Sequence, residues 1–166
     1  TKVYSTELAY YGVATALSKA RCNLAATSVG DYALFGGGYA GSNSDSAVVD
    51  AYDTSLTRSK PTVLSAARSS LAATSIGDYA LFGGGFGDSY SKVVDAYNTS
   101  LTRSTPTALS EARRVLAATS VGNYALFGGG RPGSGASKVV DAYNTSLTRS
   151  KPTALSAARE HLAATS

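Results

Sequence analysis

The chain has 166 residues, of which 43% are hydrophobic, and a formal net charge of +4; that is the length of one ordinary domain with enough apolar material for a core, which excludes intrinsic disorder. Its apolar residues come in short groups with no run of 18, which excludes a transmembrane helix, and the start at Thr1 carries no signal-peptide pattern and reads as a processed or partial chain. One cysteine, Cys22, excludes an intrachain disulfide framework, and one histidine, His161, leaves too few imidazoles for a metal or acid–base centre.

The block Leu-Ala-Ala-Thr-Ser recurs at Leu24, Leu71, Leu116 and Leu162, at spacings of 47, 45 and 46 residues. A unit of that length cannot bury its own apolar face and must stack on a neighbouring copy. The repeats divide the chain into a partial unit at 1–23, full units at 24–70, 71–115 and 116–161, and the opening of another at 162–166. Within the partial unit, Val3-Tyr4-Ser5-Thr6-Glu7-Leu8 aligns with Ala142-Tyr143-Asn144-Thr145-Ser146-Leu147 and has diverged from it.

Each full unit reads as four strands joined by tight turns. The first, at 24–28, has small Ala and Thr side chains suited to an inner position where strands of several units converge. Gly30-Asp31, and its copies Gly77-Asp78 and Gly122-Asn123, form a hairpin turn to a second strand at 32–35. That strand runs into Gly36-Gly37-Gly38, where the lack of a Cβ allows close backbone approach or positive φ. A third strand at 48–52 is followed by Asp53-Thr54-Ser55, with Asn98 and Asn144 in the place of Asp53, since either side chain accepts from a downstream backbone N–H. A fourth, outer strand at 56–59 ends before Pro61, Pro106 and Pro152. The only segment able to form a short helix is 64–68 with its equivalents.

A hydrophobic strand ending in three glycines, a Tyr-Asp or Tyr-Asn about fifteen residues later (Tyr52, Tyr97, Tyr143) and a closing Arg resemble the kelch repeat of β-propellers. The resemblance covers the chain from about Tyr4 to Ser166 and implies an all-β propeller segment of four-stranded antiparallel blades. One departure is the tryptophan usual in the fourth strand, replaced by Leu56, Leu101 and Leu147. At about three and a half units the chain falls below the roughly 4 to 8 blades of a closed ring, so it is expected to pair with a second copy or to belong to a longer repeat protein.

The copies differ chiefly in two places. One is the loop after the glycine run, nine, seven and eight residues long, which holds Tyr39, Asn43 and Asp45, then Phe86, Asp88 and Tyr90, then Arg131. The other is the dipeptide after each closing Arg, which contributes Asn23, Ser70, Arg114 and His161. In an up-and-down blade both emerge on one face, with the invariant turns on the other. These residues form the candidate ligand-binding face, because loops on a rigid scaffold carry function and Tyr, Ser, Gly and Asn combine aromatic anchors with adaptable hydrogen bonding. Passive drift of Gly/Ser-rich surface loops stands beside this as the plainer reading.

Arg21, Arg68, Arg113 and Arg159, with Asp50, Asp95 and Asp141, recur in the units and read as a structural network of Arg forks on carbonyls or on Asp between blades. Seven of the fifteen basic residues sit at fixed repeat positions, which speaks against a nucleic-acid stripe. A copper site of the galactose-oxidase kind, found among kelch-like enzymes, needs more His and Cys than this chain has, and adjacent Glu160 and His161 point to opposite faces of a strand. Gly36-Gly37-Gly38 lacks the Lys and Ser/Thr of a phosphate loop, and the sequons at Asn98 and Asn144 are explained by turn chemistry. The expected function is therefore a non-enzymatic scaffold, without metal or cofactor, that binds a protein or glycan. The alternative is a self-assembling half-propeller with passive loops, and an enzyme is the least favoured class. No compartment is assigned, although few cysteines and a Ser/Thr-rich surface suit a bacterial or viral exterior.

Overall fold

The computed structural model describes residues 14–42 and 44–165 and is built of strands, turns and irregular segments. Three four-stranded antiparallel sheets follow one another along the chain. The first contains β1 (Ala25–Val29), β2 (Tyr32–Gly36), β3 (Val49–Tyr52) and β4 (Arg58–Ser59). The second contains β5 (Ala72–Ile76), β6 (Tyr79–Gly83), β7 (Val94–Asn98) and β8 (Arg103–Ser104), and the third β9 (Ala117–Val121), β10 (Tyr124–Gly128), β11 (Val140–Asn144) and β12 (Arg149–Ser150). Each sheet is a simple meander, with strands adjacent in sequence hydrogen-bonded side by side.

The first strands of successive sheets lie next to one another, and their Ala, Thr and Ser side chains line a shared channel that Ala164 and Thr165 also reach. Small side chains let these inner strands converge. Away from the channel two apolar cores fill the gaps between sheets. One holds Leu34, Val49, Leu64, Phe82 and Tyr97, the other Leu81, Val94, Leu109, Phe127 and Tyr143. Phe and Tyr meet edge to face within each sheet, at 5.9 Å for Phe82–Tyr97 and for Phe127–Tyr143.

The glycine run is the seat of the next sheet. A Cβ on Gly36 would lie 2.8 Å from Phe82 Cε1, and one on Gly83 2.7 Å from Phe127 Cε1, so each Phe packs directly onto bare backbone of the preceding sheet. The third glycine of each run donates its N–H to the carbonyl of the Arg that closes its own unit, as in Gly38 to Arg68 at 2.9 Å.

The fourth strand is shorter than expected, because Leu56, Leu101 and Leu147 belong to the preceding turn at φ of 59–61°. Asp53 Oδ1, like Asn98 and Asn144 Oδ1, accepts the backbone N–H groups of residues two and four positions on, which fixes that turn. A left-handed leucine costs about 1–3 kcal/mol. Packing offsets it: Leu101 covers the core between the first two sheets and Leu147 the core between the last two. Residues 64–68 and their equivalents are extended or bent, not helical. Residues 1–13 of the partial unit, Asn43 and Ser166 lie outside the described residues.

Candidate binding face

Two sets of turns separate cleanly. A Cβ on Gly30 would come within 3.2 Å of Thr99 Cγ2, and one on Gly77 within 3.4 Å of Thr145 Cγ2, which places the turn between the first two strands of one sheet beside the turn between the last two strands of the next. Both are the invariant turns. The variable segments meet at the opposite ends of the strands and are hydrogen-bonded to each other. Cys22 and Tyr39 exchange N–H···O bonds of 2.9 and 2.7 Å, Ser69 and Phe86 two of 2.8 Å, and Arg114 and Arg131 two of 3.1 and 2.8 Å.

The second residue of each variable dipeptide is left-handed: φ is 53° at Asn23, 53° at Ser70, 47° at Val115 and 53° at His161. Their backbones form a relay between units. Ser70 N–H donates to Asn23 O, Val115 N–H to Ser70 O and His161 N–H to Val115 O, at 2.8–3.0 Å. This explains how the side chain can vary while the position stays fixed, since the relay uses main chain alone. Asn23 and His161 project an exposed side chain from it, and Ser70 is half-buried.

Between the first two variable loops lies a cleft of about 870 Å³ lined by Tyr39, Asp45, Phe86, Asp88, Tyr90 and Lys92. Its volume falls in the range of ligand clefts. Phe86 and Tyr90 stand edge to face, with ring centroids 5.2 Å apart. The Arg114 guanidinium lies 5.2 Å from the Phe86 centroid and 5.6 Å from that of Tyr90. A cation held over two rings fixes both side chains before any partner arrives. Arg131 joins this cluster only through its backbone bonds to Arg114, and its side chain pairs with Glu160 at 3.5 Å. The cleft also recruits Lys92, at the end of the loop where the first unit has Ala47; that substitution is the sequence signal that points to it.

The repeated Arg and Asp residues stand apart from this cleft's chemistry. Arg21, Arg68 and Arg113 bind Asp50, Asp95 and Asp141 at 2.6, 2.7 and 2.8 Å, with all six side chains buried. Each Asp also receives a second arginine, and Arg103 and Arg149 do so at 2.9 Å. Burial pulls the Arg113 guanidinium below its ordinary value against the opposing pull of Asp141, and burial, aided by Asp141, pushes Tyr143 upward. Arg159 differs from its three counterparts. It is exposed and reaches only Ala157 O and Ser156 Oγ, at 3.3 and 3.4 Å, with no carboxylate in reach among the described residues.

Among the described residues no group of three or more His, Cys, Asp or Glu side chains is placed to hold a metal, and no helix is long and apolar enough to cross a membrane. No family model matches the chain, and no curated protein matches it. Among solved structures it is similar to the structure of YjhT, with a TM-score of 0.71 and 16% identity over 83% of this chain and 47% of that one. The chain thus spans less than half the length of that protein. The likeness concerns the fold alone, and with the three meander sheets it makes this an all-β, propeller-like arrangement in which each sheet is a blade.

Proposed function

We propose that the chain is a non-enzymatic binding module of kelch-like blades that presents its variable loops to a protein or glycan. The observation that carries this reading is the Phe86–Tyr90–Arg114 cluster at the rim of the cleft between the first two loops. Its residues come from both variable segments of one unit, the loop after the glycine run and the dipeptide after the closing Arg, so a preassembled site has arisen where the copies diverge most. Aromatic faces offer apolar contact to a sugar ring or a side chain. Asp45, Asp88 and Lys92 add polar groups that fix orientation.

The test is a screen of the purified chain against arrayed glycans and displayed peptides, repeated with the triple variant Phe86→Ser, Tyr90→Ser, Arg114→Ser. Hits that weaken at least tenfold in the variant support the reading. Hits that keep their affinity, or an absence of hits, count against it.

A further inference from the structure

The outer side of the third blade is a face whose positions are buried elsewhere. Val121 is 62% exposed, whereas its equivalents Val29 and Ile76 are 3% and 4% exposed. Leu126, Leu155 and Leu162 are half-buried, while Leu34, Leu81, Leu64, Leu109, Leu71 and Leu116 are buried. Gly128 meets only Val140 of its own blade, at 3.7 Å, where Gly36 and Gly83 carry a phenylalanine. The opposite side of the molecule has the complementary set. Phe35 is half-buried, and Leu56, the equivalent of the packed Leu101 and Leu147, is 48% exposed.

Two segments at these sides are near duplicates: residues 15–28 and 153–166 are identical at 11 of 14 positions and differ only at Lys19/Ala157, Cys22/Glu160 and Asn23/His161. Each uses one half of its bonding capacity. In the first, the side chain of Arg21 is bound to Asp50, and Thr15 O accepts from the Tyr52 hydroxyl at 2.5 Å. In the second, the backbone is bound to the third blade through Leu155 N–H to Lys138 O, Arg159 N–H to Ser137 O and Gly130 N–H to Arg159 O, each 2.9 Å. Between blades 1 and 2 a single segment does both. Leu64 N–H reaches Ala47 O on one side, and Arg68 reaches Asp95 on the other.

We infer that a second copy of this chain docks head to tail, its first blade covering the third blade of its neighbour, with residues 15–27 of the one replacing residues 153–165 of the other in the shared slot. Arg21 then keeps Asp50 while its backbone takes over the bonds now made by Arg159. Exchange of near-identical segments is close to neutral, so the driving force is burial of Val121, Leu126, Leu56 and Phe35. The second copy is favoured because its exposed first-blade face repeats the side chains that already pack at two interfaces within the chain. The inference rests on the sides of the blades, and the Phe86–Tyr90–Arg114 cluster lies outside the exchanged segments.

The test measures mass by native mass spectrometry and analytical ultracentrifugation over a concentration series. Leu56→Asp and Gly128→Leu each spoil one side, at a position with room for the change. Each alone is expected to be monomeric, and their mixture to give a 1:1 heterodimer and nothing larger. Leu17→Asp is expected to abolish association. Leu155→Asp, the same change in the duplicate segment, loosens the occupant that must leave and is expected to tighten association at least tenfold. The inference is overturned by a wild type that stays monomeric throughout, which would leave the face to a further blade from another source. It is equally overturned by single variants that still associate, or by Leu155→Asp weakening association as Leu17→Asp does.

Discussion

Arg68 and Asp95 join the first repeat to the second, with Nη2 2.7 Å from Oδ2 and both side chains buried. The carboxylate is saturated: its other oxygen accepts from Arg103 at 2.9 Å and from the backbone N–H of Ser65 at 3.1 Å. Removing it strands a buried guanidinium. Asp95→Ala is expected to cost about 3–5 kcal/mol, read from the urea midpoint at unchanged slope, whereas replacing both Arg68 and Asp95 by leucine recovers much of that loss. A single variant within about 1 kcal/mol of wild type would show that the bridge does not hold the blades together.

The glycine run makes a position-specific forecast. Gly83→Ala drives a Cβ into Phe127 and is expected to destabilise by about 1–3 kcal/mol. Gly128→Ala meets only Val140 Cγ2, at an ordinary contact distance of 3.7 Å, and is expected to change stability by less than about 0.5 kcal/mol in the monomer. Equal effects in thermal unfolding would contradict the packing of each Phe on the preceding blade.

The left-handed leucines are expected to respond with opposite sign. Leu56 has φ of 61° and little packing, so Leu56→Gly relieves strain and stabilises by about 0.5–1 kcal/mol. Leu101, at φ of 59°, is packed against the first core, and Leu101→Gly is expected to destabilise by about 1–3 kcal/mol. Chemical denaturation of both variants decides it.

Asp53 supplies the acid-sensitive turn. Hydrogen bonds from the Ser55 hydroxyl and the Thr57 and Ser55 backbones hold its carboxyl below the ordinary value of 3.8. A depressed folded pKa stabilises the fold above the unfolded value and loses that contribution as pH falls through the folded one. The amide resonances of Ser55 and Thr57 are therefore expected to shift below pH 3.8, while those of Ser100 and Thr102, bonded to Asn98, stay put. Asp53→Asn abolishes the difference, and a turn in which both sets move together would refute the assignment.

Much of this architecture was legible in the repeat. Small residues at 24–28 marked the inner strands, the glycine run marked close approach, and the Asp53/Asn98/Asn144 exchange marked a side-chain acceptor, because each of these is a local steric or hydrogen-bonding requirement. The left-handed leucines were not, since nothing in a leucine announces positive φ when only the neighbouring blade makes it worthwhile. Nor was the main-chain relay through Asn23, Ser70, Val115 and His161, which is blind to side-chain identity. Both variable segments were readable as sharing a face, but the stacking of Arg114 on Phe86 and Tyr90 brings together two segments of one unit that are far apart in sequence, and neither carries a signature of it. Arg159 aligned with its three counterparts in sequence and parted from them in structure, because a salt bridge needs the next blade's aspartate.

The division of labour between the two ends of the strands is open to one direct measurement: the affinity of any glycan or peptide hit for two matched variants. One carries Tyr39→Ser, Phe86→Ser and Tyr90→Ser on the variable face, and the other Thr54→Ala, Thr99→Ala and Thr145→Ala on the invariant turns. Binding reduced at least tenfold by the first set and unchanged by the second is the predicted result; undiminished binding by the first, or loss through the second, would contradict it.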